Sequence, residues 1–224
     1  MSSILVGATR PVRFLEKRQS EMVVFFRYKI PPLHKAKLMD NTEQFCKIVR
    51  ERSKEHQRAI FVLSGNGLQG QVMSILRQEL DSMVRVIFLL SQDMDEREHL
   101  INLMLSGQKW KLTSNANVTD RQMVDLADKL NGWTKSVYKF GCAFIHLSSF
   151  HSYTTNDPFK DISIDEINSV KSHLNNYHGF PMASDLTMQT ISMYLPMVFD
   201  KISSNLECYV QYLEGRNTTV ISNL

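Results

Sequence analysis

Ser74-Ile75-Leu76-Arg77-Gln78-Glu79-Leu80-Asp81-Ser82-Met83-Val84-Arg85-Val86-Ile87-Phe88-Leu89-Leu90 is the stretch that decides the fold. At about 100° per residue, Leu76, Met83, Val86, Ile87 and Leu90 share one helical arc, which Val72 extends backwards. Beyond Asp81 only Ser82 and Arg85 interrupt the apolar run, so neighbours must cover this helix on several sides. Arg77, Asp81 and Arg85 fall at i, i+4 and i+8, a spacing that predicts a salt-bridged edge able to neutralise itself. A helix of this kind belongs at the centre of a bundle.

The flanking sequence repeats the helical pattern nearly to the end. Helices are predicted over 41–63, 67–91, 95–106, 119–130, 133–152, 163–177 and 185–214. Gly65-Asn66-Gly67 separates the first two, and Gly107 ends the third. Thr119-x-x-Gln122 and Ser163-x-x-Glu166 have the spacing of capping boxes, in which side chains satisfy the free amides of a first turn. Gly179 followed by Pro181 reads as a helix stop. Pro196, inside the predicted last helix, is expected to kink it by removing one amide donor. The expectation is an all-α bundle of long antiparallel helices with a Pro-kinked C-terminal helix, forming one domain over 40–224.

Ahead of it, residues 1–39 form a basic arm or short irregular segment. Met22-Val23-Val24-Phe25-Phe26-Arg27-Tyr28 within it reads as a short strand or one helical turn before Pro31-Pro32. Before Met39, eight Lys and Arg face only Glu16 and Glu21, which leaves +6 there and −3 over the rest of a chain whose total is +3. Such an arm can meet RNA through phosphate contacts or pack on the acidic surface of its own body. The hydrophobic fraction of 43% and charged fraction of 22% exclude disorder and low-complexity architecture, and nine Gly in 224 residues argue against a turn-rich β fold. Cys46, Cys142 and Cys208 lie far apart, so neither a zinc ribbon nor a disulfide framework is expected. No apolar run approaches the roughly 20 residues that span a membrane, and the start lacks a secretory pattern. These features predict a cytoplasmic protein without a membrane contact.

Helical projection singles out polar residues where apolar ones are expected. Arg52 and His56 lie near the centre of the stripe set by Phe45, Val49, Ile60 and Leu63. Glu79 falls in the arc of Leu76 and Met83, and His151 continues the stripe of Trp133, Val137, Phe140, Phe144 and Leu147. Burying such groups is costly unless they pair, so some of the four are expected to meet. His, Arg and Glu together can serve as acid, base and phosphate clamp for metal-independent RNA cleavage, or simply fix helix register. His146, four residues after Cys142 and on the face opposite the stripe, is a further candidate acid or base. Gly141, Cys142 and Ala143 otherwise form a small-residue seam that another helix can approach closely. Glu96-x-x-His99 has the spacing of one half of a di-iron ligand set, but no second ExxH exists. No HExxH, Walker loop, GxSxG or GxGxxG occurs, so no metal or cofactor is expected.

Two long helices joined by a short turn, with Arg77-x-Glu79 leading the second, are followed by a later helix carrying Tyr138 and His146 and then Ser148 and Ser149. Over about residues 41–152 this arrangement resembles the HEPN superfamily of bacterial and archaeal all-helical proteins. The resemblance implies a homodimer working in toxin–antitoxin, anti-phage or RNA-processing systems. Active members are metal-independent RNases with Arg, four to six residues, then His on a late helix. Here the late helix carries Lys139 ahead of His146, while Arg50 and His56 match the spacing on an early helix. Loss of the late Arg favours a non-enzymatic interaction module, self-associating or binding a protein partner, in a microbial defence or stress system. The alternatives are a HEPN-type ribonuclease using His146 or the Arg52–His56 pair, and a small-molecule pocket lined by Trp110, Trp133 and Tyr138.

Overall fold

The computed structural model describes residues 39–215. Most of the basic arm, with the 22–28 stretch, and residues 216–224 lie outside the described residues. The fold is all-α, with no named strand among the described residues. Among the described residues eight helices follow in order: α1 Met39–Gly65, α2 Gln69–Ser91, α3 Met94–Leu105, α4 Asp120–Asn131, α5 Thr134–Ile145, α6 Ile164–His178, α7 Met188–Ser192 and α8 Leu195–Leu213. Short 3-10 turns, Ser149–Ser152 and Pro158–Asp161, link α5 to α6. No described helix is long and apolar enough to cross a membrane.

Helix α2 is the hub. It packs most extensively on α8 and α5, and also on α1 and α4. Val72, Leu76, Leu80, Met83, Val84, Val86, Ile87, Leu89 and Leu90 are all buried, as the wrap-around apolar pattern requires. Burying a side chain of this class contributes about 1.5–3 kcal/mol, so α2 dominates the hydrophobic driving force. Its C-terminus is closed by a residue the pattern did not reveal. Arg97, buried on α3, donates from Nε to the Leu89 carbonyl at 3.0 Å and from Nη2 to the carbonyls of Leu90 and Gln92 at 3.4 and 3.1 Å. A cation set on free carbonyls suits the negative end of a helix. Burial pulls its pKa below the usual arginine value, and nearby Asp93 opposes that fall.

Local signals largely hold. Thr119 and Gln122 form the full capping box of α4, Ser163 accepts from the Glu166 amide to start α6, and Gly179 ends α6 in the left-handed region at φ 73°. Glu96 and His99 share a face of α3 for a structural purpose: Glu96 accepts from the Thr113 amide and hydroxyl, and the His99 ring meets the Lys111 carbonyl at 3.0 Å. Together they tie the 110–118 connection to α3.

Two predicted helices are shorter than their patterns. The segment read as 185–214 is two helices, and Pro196 lies in the first turn of α8, where its missing amide costs nothing, so it opens that helix instead of kinking it. The segment read as 133–152 ends at Ile145. There the Ser148 hydroxyl donates to the Ala143 carbonyl at 2.7 Å and the Ser74 hydroxyl to the Phe144 carbonyl at 3.1 Å. Side chains thus take the carbonyls that a continuing helix would have used. Leu147 consequently leaves the stripe and is 96% exposed.

The small-residue seam is present at Gly141. A Cβ there would lie 2.4 Å from Arg77 Cβ, so α5 rests on α2 at this point with no room for a methyl group. Gly141→Ala raises helix propensity by about 1 kcal/mol. It is nonetheless expected to destabilise the protein by about 1–3 kcal/mol through overpacking, read from the urea midpoint. An unchanged or higher midpoint would show that the two helices are not in contact there.

Candidate functional site

Three of the four polar residues flagged in the stripes fall into two groups on α2, one around Glu79 and one around Asp81. The first is an enclosed triad. Glu79 has no exposed surface, His56 is 7% exposed, and His56 Nδ1 lies 2.7 Å from Glu79 Oε2. Ser53 donates to the other carboxylate oxygen at 2.5 Å. Ser53 and His56 are three residues apart, hence on one face of α1, and each takes one oxygen of the same carboxylate. That geometry fixes the register of α1 on α2. Ser53 escaped the sequence reading, although its i−3 position to His56 was the available signal.

The second group is an arginine–aspartate cluster centred on Asp81. Arg85 Nε is 3.0 Å from Asp81, Arg52 Nη1 3.7 Å and Arg77 Nη1 3.9 Å. Asp120, the first residue of α4, completes it with contacts of 3.1 Å to Arg77 and 3.3 Å to Arg85. The ladder read from the sequence is therefore more than a surface edge, because it ties α1 and α4 to α2. Arg77 is buried, its guanidinium 4.2 Å from the centre of the Tyr138 ring and its Nε 3.5 Å from Cys142 Sγ. Burial opposes its charge, but Cys142, Asp81 and Asp120 prevail and hold its pKa above the ordinary value. Arg85 lies 5.1 Å from the Trp110 ring, a cation–π contact. Three guanidinium groups against two carboxylates leave a small positive excess, with Arg52 and Arg85 partly open to solvent.

The remaining candidates stand apart. His146 follows the last residue of α5 and is exposed; its backbone amide donates to the Cys142 carbonyl at 3.1 Å, and its ring makes no hydrogen bond or ion pair with Arg52, His56 or Cys142. His151 is also exposed. Its ring meets the Ser148 amide and carbonyl in a 3-10 turn instead of sitting at the centre of a buried stripe, because α5 has already ended. Arg50, which matched His56 in spacing, turns away from it to α8 and binds Glu207 and Glu214 of the α8 end at 2.5 to 2.9 Å. Those two carboxylates push its pKa above the ordinary arginine value. Among the described residues no group of three or more His, Cys, Asp and Glu side chains converges as a metal set.

Trp110, Trp133 and Tyr138 do not share a pocket. Trp110 packs on Phe88, Tyr138 lies under Arg77, and only Trp133 lines the apolar cavity between α2, α5, α6, α7 and α8. His173, Tyr177 and His178 of α6 and Lys201 of α8 line the same cavity. The cavity is a feature that sequence reasoning missed, since its lining comes from five helices distant in sequence. Compared with known proteins, the chain matches no family model, no curated protein and no solved structure.

Burial and the neighbouring Lys201 push the His178 pKa down to about 4. A histidine near 6.5 when unfolded and near 4 when folded binds more protons in the unfolded state between those values. Stability is therefore expected to fall as pH drops from about 6.5 towards 4. His178→Asn is expected to flatten that loss, measured as urea midpoints at pH 7 and pH 5. An identical pH slope in the variant would mean that His178 is equally hydrated in both states.

Proposed function

We propose that this chain is a non-enzymatic helical interaction module that self-associates through one apolar end of the bundle. The observation that carries this reading is the set of apolar side chains exposed where α1 passes into α2. Phe61 is 84% exposed, and Val62 and Leu68 are exposed beside it in sequence. The C-terminus of α5 lies at the same end, through the Ser74 contact with the Phe144 carbonyl and the 3.4 Å contact of the Gly70 amide with the Tyr153 hydroxyl. It adds exposed Ile145 and Leu147. Clustered exposed apolar side chains of this size mark contact surfaces, and an apolar face is complementary to itself without charge matching, as a two-fold dimer requires.

The pairing of the ionisable groups supports the same reading over a metal-independent ribonuclease. His56 is engaged by Glu79 and enclosed, Arg52 is engaged by Asp81, and His146 has no cationic partner beside it. An RNase needs an acid or base and a phosphate clamp converging on one accessible phosphate. RNA contact through the basic residues of 1–39 rests on charge, and a role in microbial defence or stress rests on the HEPN-like pattern. Both are compatible with a self-associating module.

Sedimentation velocity over a concentration series tests the reading. The full chain is expected to sediment as a dimer at micromolar concentration, and Phe61→Asp and Leu147→Asp to shift it to monomer with unchanged helical circular dichroism. A wild-type chain that stays monomeric throughout contradicts the proposal.

A further inference from the structure

The segments that form the exposed apolar end of the bundle carry no formal charge. Residues 59–76, which run from α1 through the turn into α2, contain no Asp, Glu, Lys, Arg or His. Residues 140–156, from α5 through the first 3-10 turn, contain no Asp, Glu, Lys or Arg either, and His146 and His151 are their only histidines. Histidine is the side chain whose charge ordinarily changes between pH 5 and 8. These segments therefore gain charge on mild acidification through two residues.

His146 is placed to make that charge count. It is exposed and stands between Ile145 and Leu147, two of the exposed apolar side chains of this end. Among the described residues its ring has no hydrogen bond or ion pair. His151 differs, because its Nδ1 already meets the Ser148 carbonyl at 3.2 Å, which is an acceptor for a proton there. The charged groups bordering the end are mostly engaged elsewhere. Arg77 is buried against Asp81 and Asp120, Lys139 pairs with Glu166, and Asp157 accepts from the Phe159 and Met188 amides. Arg58, one turn before Val62 on α1, and Lys160 and Asp161 of the second 3-10 turn are exposed to solvent. No described carboxylate lies within ion-pair distance of the His146 ring.

We propose that protonation of His146 dissociates the self-associated form, an inference that rests on the dimer reading above. In a two-fold dimer closed through this end, each copy brings one His146 among apolar side chains. The facing surface is the same surface, so it offers no carboxylate either. A neutral imidazole is tolerated there, whereas an enclosed charge without a partner is strongly unfavourable. The sign follows: the monomer binds more protons than the dimer, so association weakens as pH falls. Two histidines of the ordinary kind, neutral in a dimer and free to titrate in the monomer, weaken it about hundredfold between pH 7.5 and 5.5.

Sedimentation velocity of the full chain over a concentration series at pH 7.5 and 5.5, with helical circular dichroism at each pH, tests the proposal. The dissociation constant is expected to rise about hundredfold at pH 5.5 with the helical signal unchanged. His146→Gln and His146→Leu are expected to hold that rise below about threefold. His178→Asn, which removes the histidine whose burial makes the fold sensitive to acid, is expected to keep the full rise. A wild-type dimer equally strong at both pH values overturns this inference and leaves self-association standing. So does a full pH response in the two His146 variants, or a loss of dimer that comes with loss of the helical signal. A chain that is monomeric at pH 7.5 overturns both readings.

Discussion

A carboxylate with no exposed surface, set on the most enclosed helix of an all-α bundle, must be met by partners on both oxygens, and Glu79 is met by Ser53 and His56. Leaving such a group unpaired costs several kcal/mol, a large share of the stability of an ordinary domain. Apolar contacts alone would let α1 slide or rotate on α2 with modest loss. Two short hydrogen bonds from residues three apart on α1 permit only one register. The remainder of the bundle inherits that choice. Once α1 is placed, Arg50 reaches the two carboxylates at the end of α8, and Arg52 reaches Asp81 on α2.

The ionic contacts around α2 differ in weight because they differ in exposure. Arg77 is buried and bound on several sides, so its loss would leave Asp81 and Asp120 to the more exposed Arg85 and open the close approach at Gly141. Lys47 with Glu51 and Lys135 with Asp125 are exposed pairs, which solvent screens and which contribute little. The molecule therefore concentrates its costly electrostatics on the hub helix. The aromatic cavity lies beside the light contact between α5 and α6.

Much of this was legible in the sequence, for identifiable reasons. The hub helix, the α4 capping box, the Gly179 stop and the meeting of some of the polar residues in the stripes all follow from periodicity and from the cost of burying charge, while which of them pair does not. The end of α5 did not follow, because Trp133 to His151 keeps a helical apolar period while Ser148 and Ser74 divert the backbone carbonyls through side-chain bonds that periodicity does not register. Pro196 was read against a helix that began too early. The role of Arg97 on the end of α2 and the gathering of Trp133, His173, Tyr177 and Lys201 depend on how distant segments pack, and no local pattern encodes them.

The central claim is that Glu79 and His56 act as one structural unit that sets the register of the bundle. A double-mutant cycle tests it most directly, with Glu79→Gln, His56→Ala and the two combined, each unfolded in urea at pH 7. The account expects each single change to cost several kcal/mol and the pair to be coupled by about 1–3 kcal/mol, the double variant losing less than the sum. Additive costs, or single variants as stable as the wild type, would contradict it.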